Sequence, residues 1–136
     1  MSDPSSRKRI SSGGPWETKI GYSRAVVQGD TVYVSGTTAM TSAGFVGEGD
    51  PYAQTVQTLA TIGDALAEAG ATFADVVRYR VYATRQQDWQ EIGRALAEVF
   101  ADVRPSGTMV GVSWLLQDRM LVEIDVDAVL GSGARG

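Results

Sequence analysis

The sequence contains neither cysteine nor histidine. The lack of cysteine excludes disulfide bonds and thiol nucleophiles, and the two absences together exclude a zinc site of the Cys/His type. Ser–His and Cys–His catalysis are excluded for the same reason. Lysine occurs only at Lys8 and Lys19, near the N-terminus, so the core offers no buried Schiff-base lysine. Acid–base chemistry therefore has to come from Asp, Glu, Tyr, a backbone group or bound water.

Long apolar runs and an excess of positive charge are also missing. No run approaches the roughly 20 apolar residues of a membrane span, and "MSDPSSRKRISSGG" lacks the apolar segment of a secretory signal. We therefore expect a cytoplasmic protein that does not bind membranes. The 12 basic and 16 acidic residues give a formal charge of −4, which argues against nucleic-acid binding. The chain of 136 residues suits one domain.

Residue patterns in the first half predict three strands and a helix. A flexible arm over residues 1–17 includes "RKRI" as a candidate edge strand, and "YSRAVVQGDTVYVSG" predicts a hairpin. The glycine-rich "TTAMTSAGFVGEGD" is typical of a loop. "PYAQTVQTLATIGDALAEAG" predicts a helix that Asp50 caps and Gly70 ends. Its apolar stripe consists of Val56, Leu59, Ile62, Gly63 and Leu66.

The second half continues with a strand, a helix and two strands. "DVVRYRVYAT" alternates as a strand, and a second helix follows in which Asp88 and Glu91 have capping-box spacing. The stripe that this helix should bury is Trp89, Ile92, Leu96, Val99 and Phe100. "SGTMVGV" and "LVEIDVDAVL" predict the last strands, and residues 131–136 predict a disordered tail.

The predicted order, β–β–β–α–β–α–β–β, indicates an α+β domain. Two amphipathic helices can both cover one face of a single mixed sheet. The other face then carries residues too apolar or too small for water, so we expect the protein to associate with itself.

One face of the strand in "RPSGTMVGVSWL" has unusually little side-chain volume. Gly107, Met109 and Gly111 share that face because side chains alternate along a strand. Either another group packs very close to the glycines, or the face leaves a cavity open.

Several segments together resemble the Rid/YjgF family. "GYSRAVVQGDTVYVSGTTA" is similar to its N-terminal hairpin, with a Tyr-Ser-x-Ala-Val segment and a Ser-Gly pair. "QTVQTLATIGDALAEAGATFADVVRYRVYAT" resembles its first helix and the following strand. "VFADVRPSGTMVGV" and "LVEIDVDAV" resemble its last two strands. The resemblance implies a chorismate-mutase-like domain over residues 18–130 that forms homotrimers with a ligand cleft at each subunit interface.

The resemblance also implies an activity and a set of site residues. Well-known family members hydrolyse reactive enamines or imines, such as 2-aminoacrylate, to 2-oxo acids and ammonia, without a metal or other cofactor. Glu123 matches the glutamate that positions or activates water and is the catalytic candidate. The residues implied to bind the ligand are Tyr22, Ser35, Gly36, Thr37, Gly107, Thr108 and Met109.

This sequence departs from the family pattern at four of its positions. Gly107 stands where an arginine holds the substrate carboxylate, a role suited to the guanidinium fork. Met109 replaces a pocket cysteine, Thr37 replaces a glutamine, and Gly93 replaces an asparagine of the second helix. Arg24 and Arg104 are the candidates for a replacement anion anchor.

These departures leave the function open between three hypotheses. The chain hydrolyses an enamine or imine but is not an efficient 2-aminoacrylate deaminase, or it is a trimer that binds a metabolite without catalysis. The third hypothesis is a pathway-specific enzyme for a larger substrate, admitted by the glycines at 107 and 111. A ribonuclease is least favoured, because the chain is acidic and lacks histidine.

Overall fold

A six-stranded mixed sheet organises the chain in the computed structural model, which describes residues 6–133. Its strands are β1 (Arg7–Ile10), β2 (Ala25–Gln28), β3 (Thr31–Thr37), β6 (Val76–Ala83), β7 (Ser106–Gly111) and β8 (Val122–Val129). A separate hairpin consists of β4 (Met40–Thr41) and β5 (Gly44–Phe45). The sheet order is β1-β2-β3-β8-β6-β7, and only the β6–β7 pair is parallel.

Two helices, α1 (Pro51–Glu68) and α2 (Trp89–Phe100), bury their apolar sides against one face of this sheet. Asp50 caps α1 by accepting a hydrogen bond from the Ala53 N–H at 3.0 Å. The largest fully buried apolar side chains are Leu59, Ile62, Leu66, Ile92, Ile124, Val32, Val81, Val122 and Val126. The mixed α+β domain with two main helices is therefore confirmed.

The chain ends lie partly outside the described residues. Residues 1–5 of the predicted arm and residues 134–136 of the predicted tail cannot be compared with the structure. Within the described part, β1 pairs with β2 at the sheet edge. The Gly133 N–H donates to the Asp75 carboxylate at 2.9 Å, which fixes the chain just before its last residues.

The helix stripes differ from the prediction at Val56 and Trp89, whose exposed fractions are 42% and 54%. Gln54, Thr55 and Thr58 are buried in α1 instead. These side chains find hydrogen-bond acceptors inside the protein, so burying them costs little.

Two further local predictions were wrong. The carboxylate of Asp88 pairs with Arg85 and makes no cap hydrogen bond, whereas a complete capping box forms between Thr72 and Asp75 before β6. The segment predicted as a plain loop contains the β4–β5 hairpin. None of the helices within residues 6–133 is long and apolar enough to cross a membrane.

Candidate functional site

Glu123 lies half-buried on the sheet face opposite the helices. It belongs to β8, whose alternate residues Val122 and Ile124 point into the core. Burial raises the pKa of the Glu123 carboxyl, Arg24 opposes this rise electrostatically, and Asp125 adds to it. The carboxyl therefore holds a proton at higher pH than an exposed glutamate does, which suits proton transfer.

Gly36 makes room for the Glu123 carboxylate. The register between β3 and β8 shifts between Val34 and Thr37, so the chain bulges at Ser35 and Gly36. A Cβ atom placed on Gly36 would collide with Glu123 Oε2. The glycine of the Ser-Gly pair is therefore required sterically, because any side chain at this position would overlap the Glu123 carboxylate.

Arg24 is a cation whose charge acts on this carboxylate and favours its ionised form. Its Nη2 donates to the Gly36 carbonyl at 2.6 Å, and its buried Nε has no hydrogen-bond partner among residues 6–133. The ring of Tyr22 lies 5.7 Å from the Arg24 Cζ. A buried guanidinium N–H without an acceptor is rare in folded proteins.

A second buried carboxylate lies beyond Arg24 in a single π-helical turn, Glu17–Gly21. Burial acts to raise the pKa of Glu17, but hydrogen bonds from Ser12 and Ser11 outweigh it and lower that pKa. Arg24 lowers it further. No sequence motif predicts the burial of Glu17, because its hydrogen bonds with Ser12 form only once this segment has folded.

Ser35 and Thr37 hold the backbone around the bulge. Ser35 Oγ donates to the Ser23 carbonyl at 2.6 Å, and Thr37 Oγ1 donates to the Ser35 carbonyl at 2.8 Å. Thr37 is 2% exposed. Both hydroxyls are thus engaged with the protein's own backbone.

Gly107 lies on β7, away from the group formed by Glu123, Gly36, Arg24 and Tyr22. β6 separates β7 from β8, so Gly107 is about 10 Å from β8 across the sheet. A Cβ atom on Gly107 would be 2.5 Å from Tyr79 Cζ. The Tyr79 ring in turn stacks on Phe100 of α2, with 5.2 Å between centroids.

The other predicted residues of this segment also lie near the β7 edge. Thr108 is exposed, and Met109 is partly buried against the core. Arg104 has a left-handed backbone (φ 52°), and its N–H donates to the Phe100 carbonyl at 2.8 Å. This geometry terminates α2, and the structure shows no contact between Arg104 and the Glu123 group.

A groove of about 620 Å³ opens beside β7, where the ends of β6 and β7 meet the start of α2. Its apolar wall includes Ala83, Trp89, Met109, Gly111 and Val112. Sequence reasoning assigned Trp89 to the core and did not single out Ala83 or Val112. The alternation of Met109 and Gly111 on one strand face was the signal that pointed here.

Arg85 is the charged residue of the groove lining, and its charge is already paired. Its Nε and Nη2 donate to the two oxygens of Asp88 at 2.8 and 3.0 Å. Asp88 is 4% exposed, which keeps this ion pair partly out of water. No group of three or more side chains suited to metal ligation occurs within residues 6–133.

Comparison with known proteins identifies the family. Residues 16–130 match the sequence model of the family described as Endoribonuclease L-PSP. The chain belongs to this family. It is 42% identical over 125 residues to an uncharacterized protein of Streptomyces coelicolor, covering 92% of this chain and 93% of that one. It is 32% identical over 108 residues to a RutC family protein of Pyrococcus abyssi, covering 79% and 84%.

Solved structures of the Endoribonuclease L-PSP family have the same fold. A YjgF/YER057c/UK114 family member from Mycobacterium tuberculosis superposes with a TM-score of 0.84 at 44% identity, covering 92% of this chain and all of that one. The likeness to the Rid/YjgF family is therefore confirmed as membership, and the sheet with two helices is the fold of that family.

Proposed function

We propose that this protein hydrolyses an enamine or imine to a carbonyl compound and ammonia, with Glu123 as the acid–base residue. The observation that carries the proposal is the half-buried Glu123 carboxyl, which has a raised pKa and lies against Gly36. Arg24, with its unpartnered Nε, is the adjacent hydrogen-bond donor. The chain offers neither histidine nor cysteine for this role.

The proposed reaction needs one proton-transfer group and one water molecule. The protonated carboxyl of Glu123 delivers its proton to an enamine carbon, which gives the iminium ion. The carboxylate then takes a proton from water as the water oxygen bonds to the iminium carbon, which gives a neutral carbinolamine. The carboxyl passes this proton to the nitrogen and the C–N bond breaks. Ammonia leaves as the C=O bond forms, and the hydroxyl proton returns to the Glu123 carboxylate.

We further propose a homotrimer in which two protomers complete each site. The Glu123 group lies on the open face of the sheet, and the groove lies beside the β7 edge, so one protomer does not bring them together. An association that places the groove of one protomer beside Glu123 of the next would do so. The interface clefts of the Rid/YjgF family support this arrangement.

Hydrolysis of two imine-type substrates tests the reaction. Benzophenone imine and freshly generated 2-aminoacrylate would be followed by absorbance with wild type, Glu123→Gln and the exposed control Glu68→Gln. We expect accelerated hydrolysis of benzophenone imine, a loss of about 10²-fold or more in Glu123→Gln, and full activity in the control. We expect only slow turnover of 2-aminoacrylate, because Gly107 supplies no guanidinium.

Three outcomes would contradict the proposal or its expected substrate preference. Equal rates for wild type and Glu123→Gln would remove the assigned role of Glu123. Acceleration of neither substrate by the wild type would favour the metabolite-binding hypothesis instead. Rapid 2-aminoacrylate turnover would show that another group holds the carboxylate.

A further inference from the structure

The place of an anion anchor in β7 is filled by an aromatic ring. A side chain at 107 would project from the same strand face as Met109 and Gly111, which line the groove. The Tyr79 ring occupies that space, only 2.5 Å from where the Cβ would be. Because this ring also stacks on Phe100, the core holds it in place.

The groove itself presents little net charge to a ligand. Arg85 is the charged residue in its described lining, and two of its three guanidinium nitrogens, Nε and Nη2, donate to Asp88. An incoming carboxylate would meet a guanidinium whose charge Asp88 already neutralises in a two-bond geometry. The remaining polar side chains of the lining, Thr84 and Gln86, are uncharged.

The size and the walls of the groove favour an apolar group. Its volume of about 620 Å³ falls in the usual range for drug-sized ligands and exceeds what a three-carbon acid needs. The Trp89 side chain is 54% exposed beside it, and Gly111 leaves space next to Met109 on the same strand face. A tryptophan left this exposed at the mouth of a groove offers a surface on which a ring can stack.

We propose that this groove binds an uncharged ligand through an aromatic-sized apolar group, packed between Trp89 and Met109. Thr84 or Gln86 hydrogen-bonds the polar end of the ligand. This inference rests on the proposed function only in taking the ligand to be the enamine or imine substrate. It assigns the substrate class: uncharged and aryl-bearing, in place of a small 2-amino acid derivative.

Two matched probes test the proposal by NMR titration of the full chain. Acetophenone and phenylglyoxylate share a ring and a ketone and differ in the carboxylate. We expect acetophenone to bind with a Kd at least about tenfold lower than phenylglyoxylate and to shift the signals of Ala83, Met109 and Val112. Equal or tighter binding of phenylglyoxylate would overturn the proposal.

Four variants locate the binding and its charge preference. Trp89→Ala and the groove-filling Gly111→Leu should each weaken acetophenone binding about tenfold or more, whereas Trp114→Ala, at an exposed tryptophan outside the lining, should not. Asp88→Asn frees Arg85 and should raise the affinity for phenylglyoxylate. Acetophenone affinity unchanged by both groove variants would overturn the proposal.

The binding readout separates this inference from the proposed function. If acetophenone binds in the groove but Glu123→Gln retains full imine turnover, the proposed reaction is contradicted. The groove is then still shown to bind an uncharged aromatic ligand. If turnover depends on Glu123 but neither groove variant alters acetophenone binding, only the substrate-class inference fails.

Discussion

At the scale of single residues, the protein concentrates unusual chemistry around Glu123. Gly36 leaves space for the carboxylate beside the strand backbone, and Arg24 acts on it electrostatically and has a buried Nε without a partner among the described residues. Tyr22, Gly36, Arg24 and Glu123 could be named from the sequence because short motifs carry them. Glu17 could not, because its burial depends on how a π-helical turn folds against Arg24.

The raised pKa of Glu123 predicts a pH dependence of stability. Burial raises its folded pKa above the unfolded value near 4.5, so the folded protein binds more protons between these two pKa values. Its contribution to the free energy of unfolding therefore falls as pH rises through that window. Glu123→Gln should gain stability relative to wild type from about pH 4 toward pH 8 in urea unfolding. A relative gain that shrinks with rising pH would contradict the raised pKa.

Gly36→Ala should separate activity from stability. The added methyl group meets the mobile end of the Glu123 side chain, so the carboxylate can shift while the fold remains. We expect imine hydrolysis to fall about tenfold or more, with a change of less than about 1 kcal/mol in unfolding free energy.

Gly93→Ala in α2 is the matched control for Gly36→Ala. A Cβ there has open space, so this variant should keep activity and gain up to about 1 kcal/mol from helix propensity. Undiminished activity of Gly36→Ala would show that Glu123 does not need its observed position.

At the scale of secondary structure, the sequence predicted elements better than it predicted which side chains they bury. The strands and helices followed from period-two and helical spacing. The sequence pattern predicts that α1 buries Val56, whereas the structure buries Gln54. Gln54 can be buried because its amide forms hydrogen bonds with backbone groups of loops that are distant in sequence. Such long-range hydrogen bonds leave no periodic trace.

Gln54→Leu should reveal how much α1 relies on that amide. Gln54 is fully buried, donates to the Gly47 and Arg119 carbonyls at 3.0 and 2.9 Å, and accepts from the Leu121 N–H at 2.8 Å. Leucine would leave these backbone groups without their partner. We expect a loss of about 3 kcal/mol in urea unfolding, and Gln54→Glu should recover only part of it. A loss below about 1 kcal/mol would contradict this role.

The β6–β7 pair gives a second prediction at this scale. Gly107→Ala forces the Tyr79 ring off Phe100 and should cost about 1–3 kcal/mol in unfolding free energy. Gly111→Ala on the same strand meets only the Ala83 carbonyl at 3.8 Å and should change stability by less than about 0.5 kcal/mol. Equal effects of the two substitutions would show that Tyr79 moves freely.

At the scale of the whole molecule, one sheet face is covered by helices and the other is not. The open face carries Tyr33 and Val110, which are 50% and 44% exposed. It also carries an ionic network in which Arg80 contacts Asp125 at 2.8 Å and Asp127 at 3.2 Å. The expectation of association rests on the sequence pattern, whereas the separation of the site residues into two groups required the strand order.

The proposed trimer predicts a solution mass three times that of the 14.5 kDa chain. Sedimentation equilibrium would measure it over a range of protein concentrations. Val110→Asp puts a charge on the open sheet face and should shift the mass toward that of one chain, because a buried unpaired charge opposes association. Val56→Asp, on the outer side of α1, should leave the mass unchanged. A wild-type mass of one chain would contradict the trimer.

The contact between Gly107 and Tyr79 constrains the order in which mutations can accumulate. A descendant that acquires arginine at 107 while Tyr79 remains inherits a steric conflict in its core. If Tyr79 is replaced before residue 107 changes, the core loses a ring that stacks on Phe100, and no substrate contact is added. An arginine at 107 thus requires a second substitution at Tyr79, and each change is unfavourable alone, so the effects of the two substitutions on stability should be strongly non-additive.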